Sequence, residues 1–137
     1  MSTFSAMQIG RTGAGFAHHW IDTIAHNMAN LETRTAPGTE PFRAVQLVAR
    51  PNTGNHFATN GSGVYVAAQV EIDGDVALVH DPDNPLADEA GYVQAAHVDM
   101  GAQMTDLLIA NRVYQANLRT VESAREAYQA ALRIGGQ

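Results

Sequence analysis

Two seven-residue apolar stripes, one at each end of the chain, enclose everything in it that breaks helices. Near the N-terminus Met7, Ala14, Ala17, Ile21, Ile24, Met28 and Leu31 fall on a repeat of three- and four-residue steps. Near the C-terminus Met100, Met104, Leu107, Tyr114, Leu118, Val121, Tyr128 and Leu132 follow the same period, with Asn111 and Arg125 as interruptions. A stripe of this period keeps one seam of a helix facing a partner helix. All five prolines (Pro37, Pro41, Pro51, Pro82 and Pro85) lie between the stripes, so both ends are free to be long helices.

A helix from Asp99 to Ile134 would run about 50 Å, whereas a compact domain of 137 residues has a radius of gyration of only about 14 Å. That helix must protrude from anything globular. The N-terminal helix can hide only part of its seam, which marks the chain as one subunit of an assembly.

The chain holds no cysteine, which excludes disulfides, thiolate zinc sites and cysteine nucleophiles. No apolar run reaches the ~18 residues of a membrane span, and no basic flank followed by an apolar stretch marks a secretory signal. No membrane insertion and no cleaved signal peptide are expected. The net charge of −6 argues against nonspecific nucleic-acid binding. Eight carboxylates and no Lys or Arg lie between Glu71 and Asp99, and every positive charge in the chain is an arginine. The acidic stretch reads as a solvated surface. The alternative is that Arg112, Arg119, Arg125 and Arg133 pair with carboxylates on neighbouring subunits, for which the planar guanidinium is suited.

Periodicity predicts a first helix over Ser5 to Leu31, although Gly10, Gly13 and Gly15 each cost about 1 kcal/mol against Ala in a helix interior. Thr33 to Pro41 reads as a loop, Phe42 to Arg50 as a strand, and the chain to Gly63 as a second loop. Val64, Val66, Ala68, Val70 and Ile72 then alternate strictly, the period of a half-buried strand. Asp73-Gly74-Asp75 is expected to turn that strand into a hairpin with Val76 to Val79. Prolines and carboxylates from His80 to Gly91 force irregular structure. The expected fold class is α+β. Long terminal helices, within residues 1–34 and 99–137, form an antiparallel coiled-coil-like pair, and residues 35–98 form a small antiparallel β insertion.

Four short motifs occur in order: Asn27-Met28-Ala29-Asn30; Asn84-Pro85-Leu86-Ala87-Asp88; Gly91-Tyr92-Val93 with Val98-Asp99; and Tyr114-Gln115-Ala116-Asn117. In these motifs and their spacing the chain resembles the rod proteins of the bacterial flagellar basal body along nearly its whole length. It departs at Met28, where the family usually has Leu, at Ala96-His97, often Pro-Asn, and at Gln103, often Glu. The resemblance implies a structural subunit of the proximal rod that leaves the cell through the flagellar type III export apparatus. It also implies helical polymerisation with copies of itself and other rod proteins, and transmission of torque from motor to hook. The runner-up is a helical-pair binding module or export-linked adaptor.

Asn30 follows the last seam positions of the first helix and can end it in the left-handed conformation or bond its last free carbonyls. Asn27, one turn earlier, can donate to a neighbouring backbone. Asn117 and Gln115 offer amides that fix register along a helix surface. The candidate subunit-interface residues are Ile21, Ile24, Asn27, Met28, Asn30, Met104, Leu107, Asn111, Tyr114, Gln115, Asn117, Leu118 and Val121.

His18, Asp22 and His26 share one face of the first helix, with His19 adjacent, a spacing that can bind a divalent metal. That face points away from the seam and reads as polar surface. Gly10-Arg11-Thr12-Gly13-Ala14-Gly15 lacks the preceding strand and the Gly-Lys-Ser/Thr of a phosphate loop, so close helix packing or a frayed start is the better reading. Asp81-Pro82-Asp83-Asn84-Pro85 lacks the glycine and terminal Glu of a calcium hand. No enzyme activity, cofactor or metal is expected.

Overall fold

The computed structural model describes residues 3–53, 62–74 and 76–135. Helix α1 spans Thr3–Ala29 and helix α2 spans Met100–Gly135. Between them lie β1 (Arg34–Thr35), β2 (Val45–Pro51), β3 (Val64–Glu71), β4 (Ala77–His80) and β5 (Tyr92–Ala95). The fold is α+β.

The helices pack antiparallel. Phe4 meets Tyr128 edge to face at 5.0 Å, Gly10 lies against Val121, and Gly13 lies against Asn117. At the far end Asn27 bonds Gln103. The seam is made of small residues: Gly10, Ala14 and Ala17 on α1 and Ala110 and Ala124 on α2 are buried. Small side chains let two helix backbones approach closely. A Cβ on Gly10 would sit 2.8 Å from the Val121 side chain, and one on Gly13 would collide with the Asn117 amide. Close packing therefore accounts for both glycines. Gly15 has open space around it.

Both helix ends match their sequences. The Asp99 carboxylate accepts from the backbone N–H groups of Gly101 (2.8 Å) and Ala102 (3.1 Å), an N-cap that satisfies donors left free in the first turn of α2. At the end of α1 the Asn30 side chain donates to the His26 carbonyl at 2.9 Å. Among the described residues no non-glycine residue has a positive φ, so Asn30 closes the helix by its hydrogen bond.

The strands form two small sheets, β2 with β3 and β1-β5-β4, antiparallel throughout. This corrects the expected hairpin at Asp73-Gly74-Asp75: β3 pairs with the preceding β2, and β4 pairs with β5. Asp75 itself lies outside the described residues. The β4–β5 pairing sets Ala77 opposite the buried Ala95 and Val79 opposite the fully buried Val93. All four residues of β4 are exposed, so it joins β5 as an edge strand through backbone pairing. Strands β1 and β5 fall in segments without strand period. Strand β2 starts at Val45; ahead of it Phe42 packs against His26 with the rings tilted (5.5 Å), and Arg43 pairs with Asp73 and bridges to His97.

The alternating face of β3 is also divided. Val48 pairs with Ala68, but the next residue, Ala49, pairs with Val66, so Ala67 is skipped and the pleat changes side at this bulge. Val64 and Val66 stay half-buried, while Ala68, Val70 and Ile72 are exposed.

Candidate assembly interface

The α2 stripe splits between two faces. Leu107, Tyr114, Val121 and Tyr128 are half-buried, and α1 reaches them with the neighbouring row Gln103, Ala110, Asn117 and Ala124. Met104, Asn111, Leu118, Arg125 and Leu132 lie one position further round and are exposed, Met104 at 51% and Leu118 at 39%; Met100, in line with Leu107, is exposed at the helix start. A helix of 36 residues is about 54 Å long. The exposed row therefore extends along most of the molecule.

The other candidate residues divide accordingly. Ile24 and Asn27, each 2% exposed, lie inside the chain's own core. Ile21, Met28 and Asn30 are half-buried, and Gln115 is exposed beside the outer row. The Asn117 side chain fills the space over Gly13 and donates to the Val113 carbonyl at 2.9 Å.

Asn27 joins three elements. Its Nδ2 donates to the Val45 carbonyl (2.9 Å) and to Gln103 Oε1 (3.1 Å), and its Oδ1 accepts from the Val45 N–H (2.9 Å). The amide thus acts as a strand neighbour for the first residue of β2 while holding the first turns of α2. At the other end of the hairpin Thr12 Oγ1 accepts from the Val64 N–H at 3.1 Å and donates to the Ile9 carbonyl. Gly63, at φ +94°, passes so close to Thr12 that any side chain there would collide.

The spacing of the two anchors follows from element geometry. Thr12 and Asn27 are 15 residues apart, about 22 Å of helix. Val45 to Pro51, the latter opposite Val64, span about 20 Å of strand. The hairpin therefore lies along α1, tied at both ends. Sequence reasoning identified Asn27 as a backbone donor but missed Thr12 and Gln103. A polar residue on the seam side of an apolar stripe was the available signal for Gln103, which is buried.

On the polar face of α1, His18 Nδ1 lies 3.0 Å from Asp22 and both side chains are exposed, while His26 turns to Phe42. Among the described residues no three metal-binding side chains converge, and no helix is long and apolar enough to cross a membrane.

A long antiparallel helix pair with a tethered hairpin, and an apolar row left open along one helix, defines a subunit built to pack against other chains. Residues 89–134 match the family model described as flagellar basal body rod FlgEFG protein C-terminal. Over 115 residues, 84% of each chain, the sequence is 36% identical to the flagellar basal-body rod protein FlgC of Escherichia coli O6:H1. It is 35% identical over the same length to that of Salmonella typhimurium. It is 29% identical to that of Bacillus subtilis over 150 aligned positions, 98% of this chain and 99% of the relative. The chain belongs to the FlgC family of flagellar basal-body rod proteins.

Proposed function

We propose that this chain is a structural subunit of the flagellar basal-body rod and polymerises helically through its terminal helices. The observation that carries the reading is the outer row of α2, Met104, Asn111, Leu118, Arg125 and Leu132, whose apolar members need a second chain to cover them. Asn111 and Gln115 supply amides along that row, and such groups fix register between helices. Contacts of this kind that do not close on themselves give an open helical assembly. The assembly transmits torque from motor to hook through the packing of its helices against those of neighbouring subunits. Its partners are other rod proteins and further copies of itself. Export through the flagellar type III apparatus into the periplasm, without a cleaved signal peptide, is part of the proposal, and the role is mechanical, not enzymatic.

Leu118→Asp tests the reading. In the assembled rod it would place an unpaired carboxylate in an apolar contact, at a cost of several kcal/mol. Export of the variant should persist while rod incorporation and swimming are lost. Ser123→Glu, an exposed change on another face of α2, should swim normally. Normal swimming by Leu118→Asp would remove this row from the interface.

A further inference from the structure

The bulge at Ala67 turns Ala68, Val70 and Ile72 to the side of the hairpin away from α1, together with Val48. The inner side is occupied: Val64 lines a cleft with Ile9 and Phe16, and Val45 and Gln69 line a groove with His19, Thr23 and His26. On the outer side Ala68 and Val70 are exposed, Val70 at 49%, while Ile72 at the end of the strip borders a small cavity with Val76, Ala95 and His97. Ala68 to Ile72 extends about 14 Å.

We infer that this strip docks a second copy of the chain through the face of α2 that points directly away from α1, the row Leu108, Arg112 and Arg119. Charge selects that occupant. The strip leads into the segment from Glu71 to Asp99, which carries eight carboxylates and no Lys or Arg. The α2 row joins an apolar group, Leu108, 62% exposed, to two arginines that make no ion pair among the described residues. Size agrees as well, since Leu108 to Arg119 spans about 16 Å of helix. The contact is heterologous, hairpin of one copy to helix of the next, so it propagates without closing. It adjoins the Leu118 row, Leu108 lying one turn from Met104 and Asn111, and adds a lateral bond between neighbours. The inference rests on the rod-subunit reading.

The absence of cysteine from the chain makes cross-linking a clean test. Cells expressing Val70→Cys and Leu108→Cys chains together are oxidised, and isolated basal bodies are analysed for disulfides, which form only when Cβ atoms come within about 4.5 Å. The expected result is a product of twice the subunit mass that joins one chain of each kind. It should be absent when either variant is expressed alone, and lost when Arg112→Glu and Arg119→Glu are added to the Leu108→Cys chain. Val48→Cys with Leu108→Cys probes the same strip from its other strand, should Val70→Cys fail to incorporate. Incorporation of the variants with no mixed product from either pair, with only like-to-like products, or with cross-links only to a different protein would overturn the inference and leave the rod reading standing. Absence of the unsubstituted chain from basal bodies would overturn the rod reading itself.

Discussion

The Asn27 side chain holds the backbone of Val45 from both sides, accepting from its N–H and donating to its carbonyl, each at 2.9 Å. These bonds bridge 18 residues of sequence and are partly buried, so they fix where β2 begins and which way the hairpin runs along α1. The same amide reaches Gln103, so one side chain links the helix pair to the β insertion.

Asn27→Ala should therefore destabilise the subunit by about 3 kcal/mol, because it leaves the part-buried N–H and carbonyl of Val45 and the buried Gln103 amide unpaired. Urea denaturation of the purified chain measures it. A loss under about 0.5 kcal/mol would mean that water replaces the amide without penalty.

Two glycines in α1 should respond with opposite signs. Gly15→Ala meets open space and should stabilise by up to about 1 kcal/mol through helix propensity. Gly10→Ala drives a methyl into Val121 and the Asn117 carbonyl, and overpacking of about 1–3 kcal/mol should outweigh the propensity gain. Thermal melts of the two variants should move in opposite directions.

Thr12→Val keeps the shape of the side chain but removes the oxygen that accepts from the Val64 N–H. Opening of the hairpin should become easier by about 1 kcal/mol. Amide exchange should speed up at Val64 and Val66, with the centre of α2 unchanged; equal acceleration everywhere would show that the anchor is not local.

Asp99→Ala should cost about 1 kcal/mol, since it removes the cap from Gly101 and Ala102. Asp99→Asn should restore most of that stability, and failure to do so would indicate that the carboxylate acts by charge and not as a cap.

The sequence made some of this plain and hid the rest for physical reasons. The period predicts α2 over Asp99 to Ile134 and the helix runs over Met100–Gly135, because about nine turns of sustained period and a capping Asp speak locally. The face that α1 covers was harder to read: Ala110, Ala124 and Gln103 carry little hydrophobic weight, yet closeness of approach favours them over Met104 and Leu118. Which strand pairs with β3 depends on Asn27 and Thr12, residues far away in the chain, so no local pattern around Asp73-Gly74 could reveal it. The bulge at Ala67 is similar. Strict alternation of Val64 to Ile72 implies one face, and only pairing with Val48 and Ala49 shows that the face divides.

A cryo-EM map of isolated basal bodies tests the central claim most directly. The account predicts this chain in the rod, with the line from Met104 through Leu118 to Leu132 on α2 buried against a helix of a neighbouring subunit. A map in which that line faces solvent, or in which the chain is missing from the rod, would contradict it.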